Sequence, residues 1–159
     1  MAASPSRERR RNRERGQSLV EFAIIVPTLL ILVFGIIDFG LALRSYITVT
    51  QATREGARYA SVGNAAGTFT SGGSGDCNGS TTTTAVGKVC TAMNGLSLSD
   101  ITSVSVTYPN GKVSGQSVRV QASYRYEYIT PVRTLVNVLS GGSLDDHLTL
   151  SATTDMRLE

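Results

Sequence analysis

The chain has 159 residues, 41% of them hydrophobic, with two cysteines, one histidine and no tryptophan. Two cysteines and one distant His147 supply too few ligands for a zinc centre, so metal chemistry is not expected. The net charge of +3 is unevenly placed: residues 1–16 carry six arginines against Glu8 and Glu14, and the remaining nine Lys/Arg and ten Asp/Glu leave −1.

The basic pI of 9.1 therefore belongs to a short leader. Arg7, Arg9, Arg10, Arg11, Arg13 and Arg15 could attract RNA, but no aromatic residue is interleaved with them. An apolar run follows at once, and orienting that run is the simpler role. No nucleic-acid partner is expected.

From Phe22 to Leu43 there are 22 residues, and Asp38 is the only charge among them. As a helix this run would be about 33 Å long, matching a hydrocarbon core of about 30 Å. Only Arg44 flanks its far end, so the positive-inside bias keeps the leader in the cytoplasm and sends the rest across. The run exceeds the h-region of a cleaved signal peptide, and no small-x-small site follows Leu43.

Glu21 stands just inside the run. A carboxylate at membrane depth costs on the order of 2–3 kcal/mol unless paired, so it needs a cationic partner or must snorkel to the interface. Pro27 removes a helical hydrogen bond and is expected to kink or loosen the helix. Asp38, near the outer end, is expected to be solvated at the interface.

Beyond Leu43 the helix continues. Val49, Ala52, Gly56 and Ala60 recur at three- and four-residue steps and form a narrow face of small side chains. Arg54, Glu55 and Arg58 take the other side, with Glu55 and Arg58 placed to pair. These spacings predict one helix of roughly 40 residues, its 17–43 half in lipid and its 44–62 half packed on a domain formed by residues 63–159.

Residues 63–84 are dominated by Gly, Ser, Thr and Asn and read as a flexible loop. Thr83-Thr84 lead into a short helix with Val86, Val89, Cys90 and Met93, closed by Asn94-Gly95. Outside the membrane a Cys77–Cys90 disulfide is expected, worth about 3 kcal/mol through loop closure.

Alternation then takes over. Val104, Val106 and Tyr108 share one face, and Asn110-Gly111 signals a hairpin turn. On the next strand Val118, Val120, Ala122, Tyr124, Tyr126 and Tyr128 face one way, while Arg119, Gln121, Ser123, Arg125 and Glu127 face the other. This is an antiparallel sheet with one buried side, and the buried side is expected to pack on the N-terminal helix. Thr130-Pro131 start a short helix with Val132, Leu135, Val136 and Leu139, ending at Gly141-Gly142. Its apolar face either touches the bilayer surface or completes the core. Leu148, Leu150, Ala152 and Met156 mark a last strand.

No catalytic constellation stands out. Asp145-Asp146-His147 reads as a polar turn, and Gly-x-Ser-x-Gly is missing. Asp38-Phe39-Gly40 has the letters of a kinase motif, but the kinase's other elements do not accompany it. No catalytic residue, cofactor or metal is expected, and the chain is not read as an enzyme.

Gly16 followed five residues later by Glu21, at the junction of a basic leader and an apolar helix, resembles the processing site of type IV prepilins. The stretch Gly16-Gln17-Ser18-Leu19-Val20-Glu21-Phe22-Ala23, then Pro27 and Gly35 to Gly40, is similar to the TadE-like pseudopilins of bacterial tight-adherence (Tad) pilus systems. So are Ala52 to Ala60 and the terminal Leu150-Ser151-Ala152 to Met156-Arg157. The resemblance is sharp over residues 14–62 and loose beyond.

The resemblance implies an α+β, pilin-like fold: a long, partly transmembrane N-terminal helix on a small antiparallel sheet. It also implies cleavage between Gly16 and Gln17 by a membrane prepilin peptidase, making Glu21 the fifth residue of the product. The freed ammonium, on the same chain or a neighbour, would pair with Glu21 and set subunit register. Implied partners are the membrane, the peptidase, other pseudopilins, the major pilin and the inner-membrane assembly platform. The implied place is the inner membrane, single pass, with the C-terminal domain outside the cytoplasm or carried into a pilus. Phe22 stands where major Tad pilins have Tyr, and Gln17 replaces the Phe that begins many mature pilins, so N-methylation is not inferred. The competing reading is a membrane-anchored binding module that never polymerises.

Overall fold

The computed structural model describes residues 6–64, Cys77, 84–142 and 145–159, with backbone alone for residues 6–16 and 63–64. Helix α1 runs from Ser6 to Tyr59, and a π turn, Ala60–Asn64, ends it. It is longer than the expected 40-residue rod because its helical hydrogen bonding begins within the arginine-rich leader. The leader side chains and most of the 63–84 loop lie outside the described residues. After the loop come α2 (Ala85–Ala92), β1 (Ile101–Thr107), β2 (Ser117–Glu127), α3 (Val132–Ser140) and β3 (His147–Arg157).

The chain divides into two compact units: Met1–Asp38 with Ile129–Leu144, and Phe39–Tyr128 with Asp145–Glu159. The second holds the sheet. Its three strands are ordered β1-β2-β3, antiparallel throughout, with β2 central. The alternation read along β2 is the one observed: Val118, Val120, Ala122, Tyr124 and Tyr126 are all buried. The opposite face is wet, and there Arg119 bonds through two nitrogens to Asp155, directly across on β3, at 2.8 and 2.9 Å.

The buried face packs on the second half of α1. Val49, Ala52, Thr53, Ala57 and Ala60 are completely buried, the three- and four-residue stripe expected of a helix on a sheet. Thr53 adds a polar stitch, its hydroxyl lying 2.9 Å from that of Thr154 on β3 and also donating to the Thr50 carbonyl. Gly56 sets how close the layers come. A Cβ there would collide with the Val89 side chain and sit 3.5 Å from Val120 Cγ1.

Helix α2 closes one end of this core. Thr84 caps it by accepting from the Gly87 amide at 3.0 Å, and Val86, Val89 and Met93 are buried. Cys90 on α2 is joined to Cys77 in a disulfide across a sequence separation of 13. Tyr108, at the sheet's end, keeps its hydroxyl buried with no hydrogen-bond partner among the described residues, and burial pushes its phenol pKa up.

Two details differ from the periodic reading. The register slips between Ile101 and Ser103, so one extra residue of β1 is accommodated there as a bulge. This lets Ile101 and Val104, three apart, both face the core. The β1–β2 connection is also not a two-residue Asn110-Gly111 hairpin. Pairing ends at Thr107↔Arg119, and the intervening chain makes two turns, closed by Gly111 N–H to Tyr108 C=O and Gln116 N–H to Val113 C=O. Pro109, with its fixed φ, occupies the second position of the first turn. Gly111 then follows with φ +85° instead of standing inside a two-residue loop.

Candidate functional site

The first unit contains the residues singled out near the membrane. The hydropathic stretch Gln17–Val62, which runs from α1 into the π turn, includes an 18-residue apolar window of which nothing is buried. Phe22 is 65% exposed and Ile36 64% exposed. Leu19, Ile24, Leu29, Leu32 and Ile37 are exposed as well, so large side chains point outward around the whole helix. Such a surface is matched by hydrocarbon rather than water, and the helix is long and apolar enough to anchor the chain in a membrane.

At its inner end, Gln17 and Glu21 are brought together by one helical turn. Gln17 Nε2 donates to Glu21 Oε1 at 3.2 Å, and both side chains are exposed. The Gly16–Gln17 peptide lies within α1, so the backbone at that bond is helical. Glycine is a weak helix former, by about 1 kcal/mol against alanine, so Gly16 lowers the local helix stability beside that bond. Helical structure passes through Pro27 without a break.

Asp38 differs from its expectation. It is not solvated: its side chain is buried, with 4% of the residue exposed. Oδ1 accepts from the backbone amides of Ile129 at 3.1 Å and Thr130 at 3.3 Å, and Oδ2 accepts from the Thr130 hydroxyl. Pro131, which has no amide hydrogen, follows, and α3 begins at Val132. The carboxylate thus satisfies the donors just ahead of a helix N-terminus, where negative charge is favoured. Sequence reading missed this because the partners lie 91 and 92 residues away along the chain.

Helix α3 ends as expected, at Gly141 in the left-handed region with φ +64°. None of its residues is buried. Val132, Leu135 and Val136 are partly covered, while Val138 and Leu139 are 78% and 58% exposed. Its apolar face therefore does not complete a core.

Cys77 and Cys90 belong to the second unit. So does the polar turn, where His147 Nδ1, on a half-buried ring, lies 2.8 Å from Oδ1 of the exposed Asp146. The contact to His147 is the main reason that the Asp146 carboxyl is held below its ordinary pKa. Among the described residues, no group of three or more His, Cys, Asp or Glu is placed to hold a metal ion.

Compared with known proteins, residues 16–58 match the family model described as TadE-like protein. No curated protein and no solved structure matches the chain.

Proposed function

We propose, from the TadE-like match over residues 16–58, that this chain is a minor pseudopilin of a Tad pilus system. A prepilin peptidase cuts it between Gly16 and Gln17, and it then takes part in initiating or assembling a Tad-type adhesive pilus. The observation carrying this reading is the position of Glu21 on an exposed apolar helix, one turn from Gln17. In the uncut chain Glu21 has a neutral amide donor. Cleavage places an ammonium on Gln17, and an ion pair at membrane depth is worth more than a neutral hydrogen bond.

The ammonium can come from the same chain or from a neighbour already in the membrane. In the second case pairing fixes the axial register between subunits. Partners under this reading are the peptidase, the other pseudopilins and major pilin, and the inner-membrane assembly platform. The leader stays in the cytoplasm and the sheet-bearing unit lies outside it.

Replacing Glu21 tests the pairing. Glu21→Ala is expected to insert, be cut and accumulate in the membrane like the wild type, yet be lost from sheared filament fractions and lower piliation. Normal filament incorporation of Glu21→Ala would exclude the pairing role, whereas a wild type that itself never enters filaments would leave a membrane-anchored module that does not polymerise.

A further inference from the structure

Helix α3 is amphipathic and only half covered. Val132, Leu135, Val136, Val138 and Leu139 occupy one broad arc at about 100° per residue, with Arg133, Asn137 and Ser140 on the other side. Val138 and Leu139 remain exposed, as does Ile129 just before the helix at 71%. An apolar surface of this kind needs an occupant, and Asp38 indicates which.

Asp38 lies on the membrane-spanning helix five residues before Leu43, so it sits about 7 Å inside the outer end of the span. Its carboxylate holds the Ile129 and Thr130 amides and the Thr130 hydroxyl, which fixes the start of α3 at that depth. Interfacial amphipathic helices bury their apolar face about 5–10 Å into the headgroup and acyl boundary. The depth set by Asp38 falls within that band.

We infer that α3 is a membrane-interfacial helix, its Ile129, Val138 and Leu139 side chains inserted among the outer-leaflet acyl chains. Asp38 is the latch that sets its depth. Arg133, Asn137 and Ser140 face the headgroups and water. The chain then holds the bilayer at two points, a spanning helix and an interfacial one. The inference rests on α1 being in a bilayer and not on leader cleavage or filament assembly.

The absence of tryptophan from the sequence makes the test direct. Full-length Val138→Trp, Ser140→Trp and Leu29→Trp are reconstituted at low protein content in phosphatidylethanolamine/phosphatidylglycerol vesicles, with bromines placed near either the glycerol end or the methyl end of the acyl chains. Val138→Trp should emit to the blue of Ser140→Trp and lose about twofold of its intensity to the glycerol-end bromines, with less loss to the methyl-end set. Leu29→Trp, inside the span, should respond to the deeper set.

Adding Asp38→Leu to Val138→Trp should abolish the quenching at Val138→Trp; unchanged quenching would remove the latch. An unquenched Val138→Trp beside a quenched Leu29→Trp would overturn the inference and leave the anchor standing. A blue-shifted Val138→Trp that bromines do not reach would mean that a second copy covers α3, which also overturns it. Failure of quenching at both positions would remove the anchor and the inference together.

Discussion

Asp38 shows how a single acid inside an apolar run can be structural. Three donors from one short segment surround it, two of them backbone amides. Hydrogen bonds to a charged group each contribute about 1.5–3 kcal/mol when buried. Asp38→Ala should therefore free Ile129 and Thr130 while leaving the sheet unit intact. Amide exchange read by mass spectrometry should quicken at Ile129–Thr130 by roughly 30-fold, the equivalent of about 2 kcal/mol, with β2 unchanged. Equal exchange in the two proteins would show that the carboxylate does not hold this segment. Glu21 is the contrasting acid, since it is exposed and accepts from the Gln17 side chain one turn away. Composition made both acids conspicuous. The resemblance offered Glu21 a freed amino terminus and not the Gln17 amide found one turn away, and spacing could not suggest Asp38's donors, because that contact closes a loop of some ninety residues.

Among the elements, α1 and β2 were legible because each keeps one period over many residues. The buried Val49, Ala52, Gly56 and Ala60 recur with helical spacing, and the buried Val118 to Tyr126 alternate without error. The β1 bulge and the two-turn β1–β2 connection were not legible. A one-residue slip has no periodic signature, and Asn-Gly is compatible with several turn lengths. Gly56 tests the helix–sheet interface most sharply. Gly56→Val should lower stability by about 1–3 kcal/mol through overpacking, since Val89 already occupies the Cβ position. A thermal midpoint equal to that of the wild type in detergent would mean that the layers can separate freely at this point.

The β2–β3 pair carries a pH prediction. Hydrogen bonding to Arg119 is the chief cause holding the Asp155 carboxyl below its ordinary pKa. A depressed folded-state pKa contributes stability above the unfolded carboxylate's value, and that contribution is lost as pH falls through the folded value. The wild type should therefore melt above Asp155→Asn near pH 7, and the two should converge as pH falls through the folded carboxyl's lowered value. The gap will be small because the pair is exposed. A gap that widens on acidification would contradict the assignment.

At the scale of the whole molecule, the chain combines an apolar anchor with a sheet-bearing unit that has its own core, disulfide and polar outer face. The α+β architecture could be read in advance because the membrane run, the helical stripe and the strand alternation are each long and regular. The membrane contact of α3 could not, since its apolar arc fits a core as well as it fits a bilayer. Under the proposed function, what joins these parts to a pilus is cleavage of the peptide bond after Gly16. The decisive measurement is the amino-terminal residue of the protein purified from envelopes of cells with an active prepilin peptidase, read by mass spectrometry beside a strain lacking the enzyme. The account predicts a chain beginning at Gln17 in the first strain and at Met1 or Ala2 in the second. A chain that keeps its arginine-rich leader in both would contradict it.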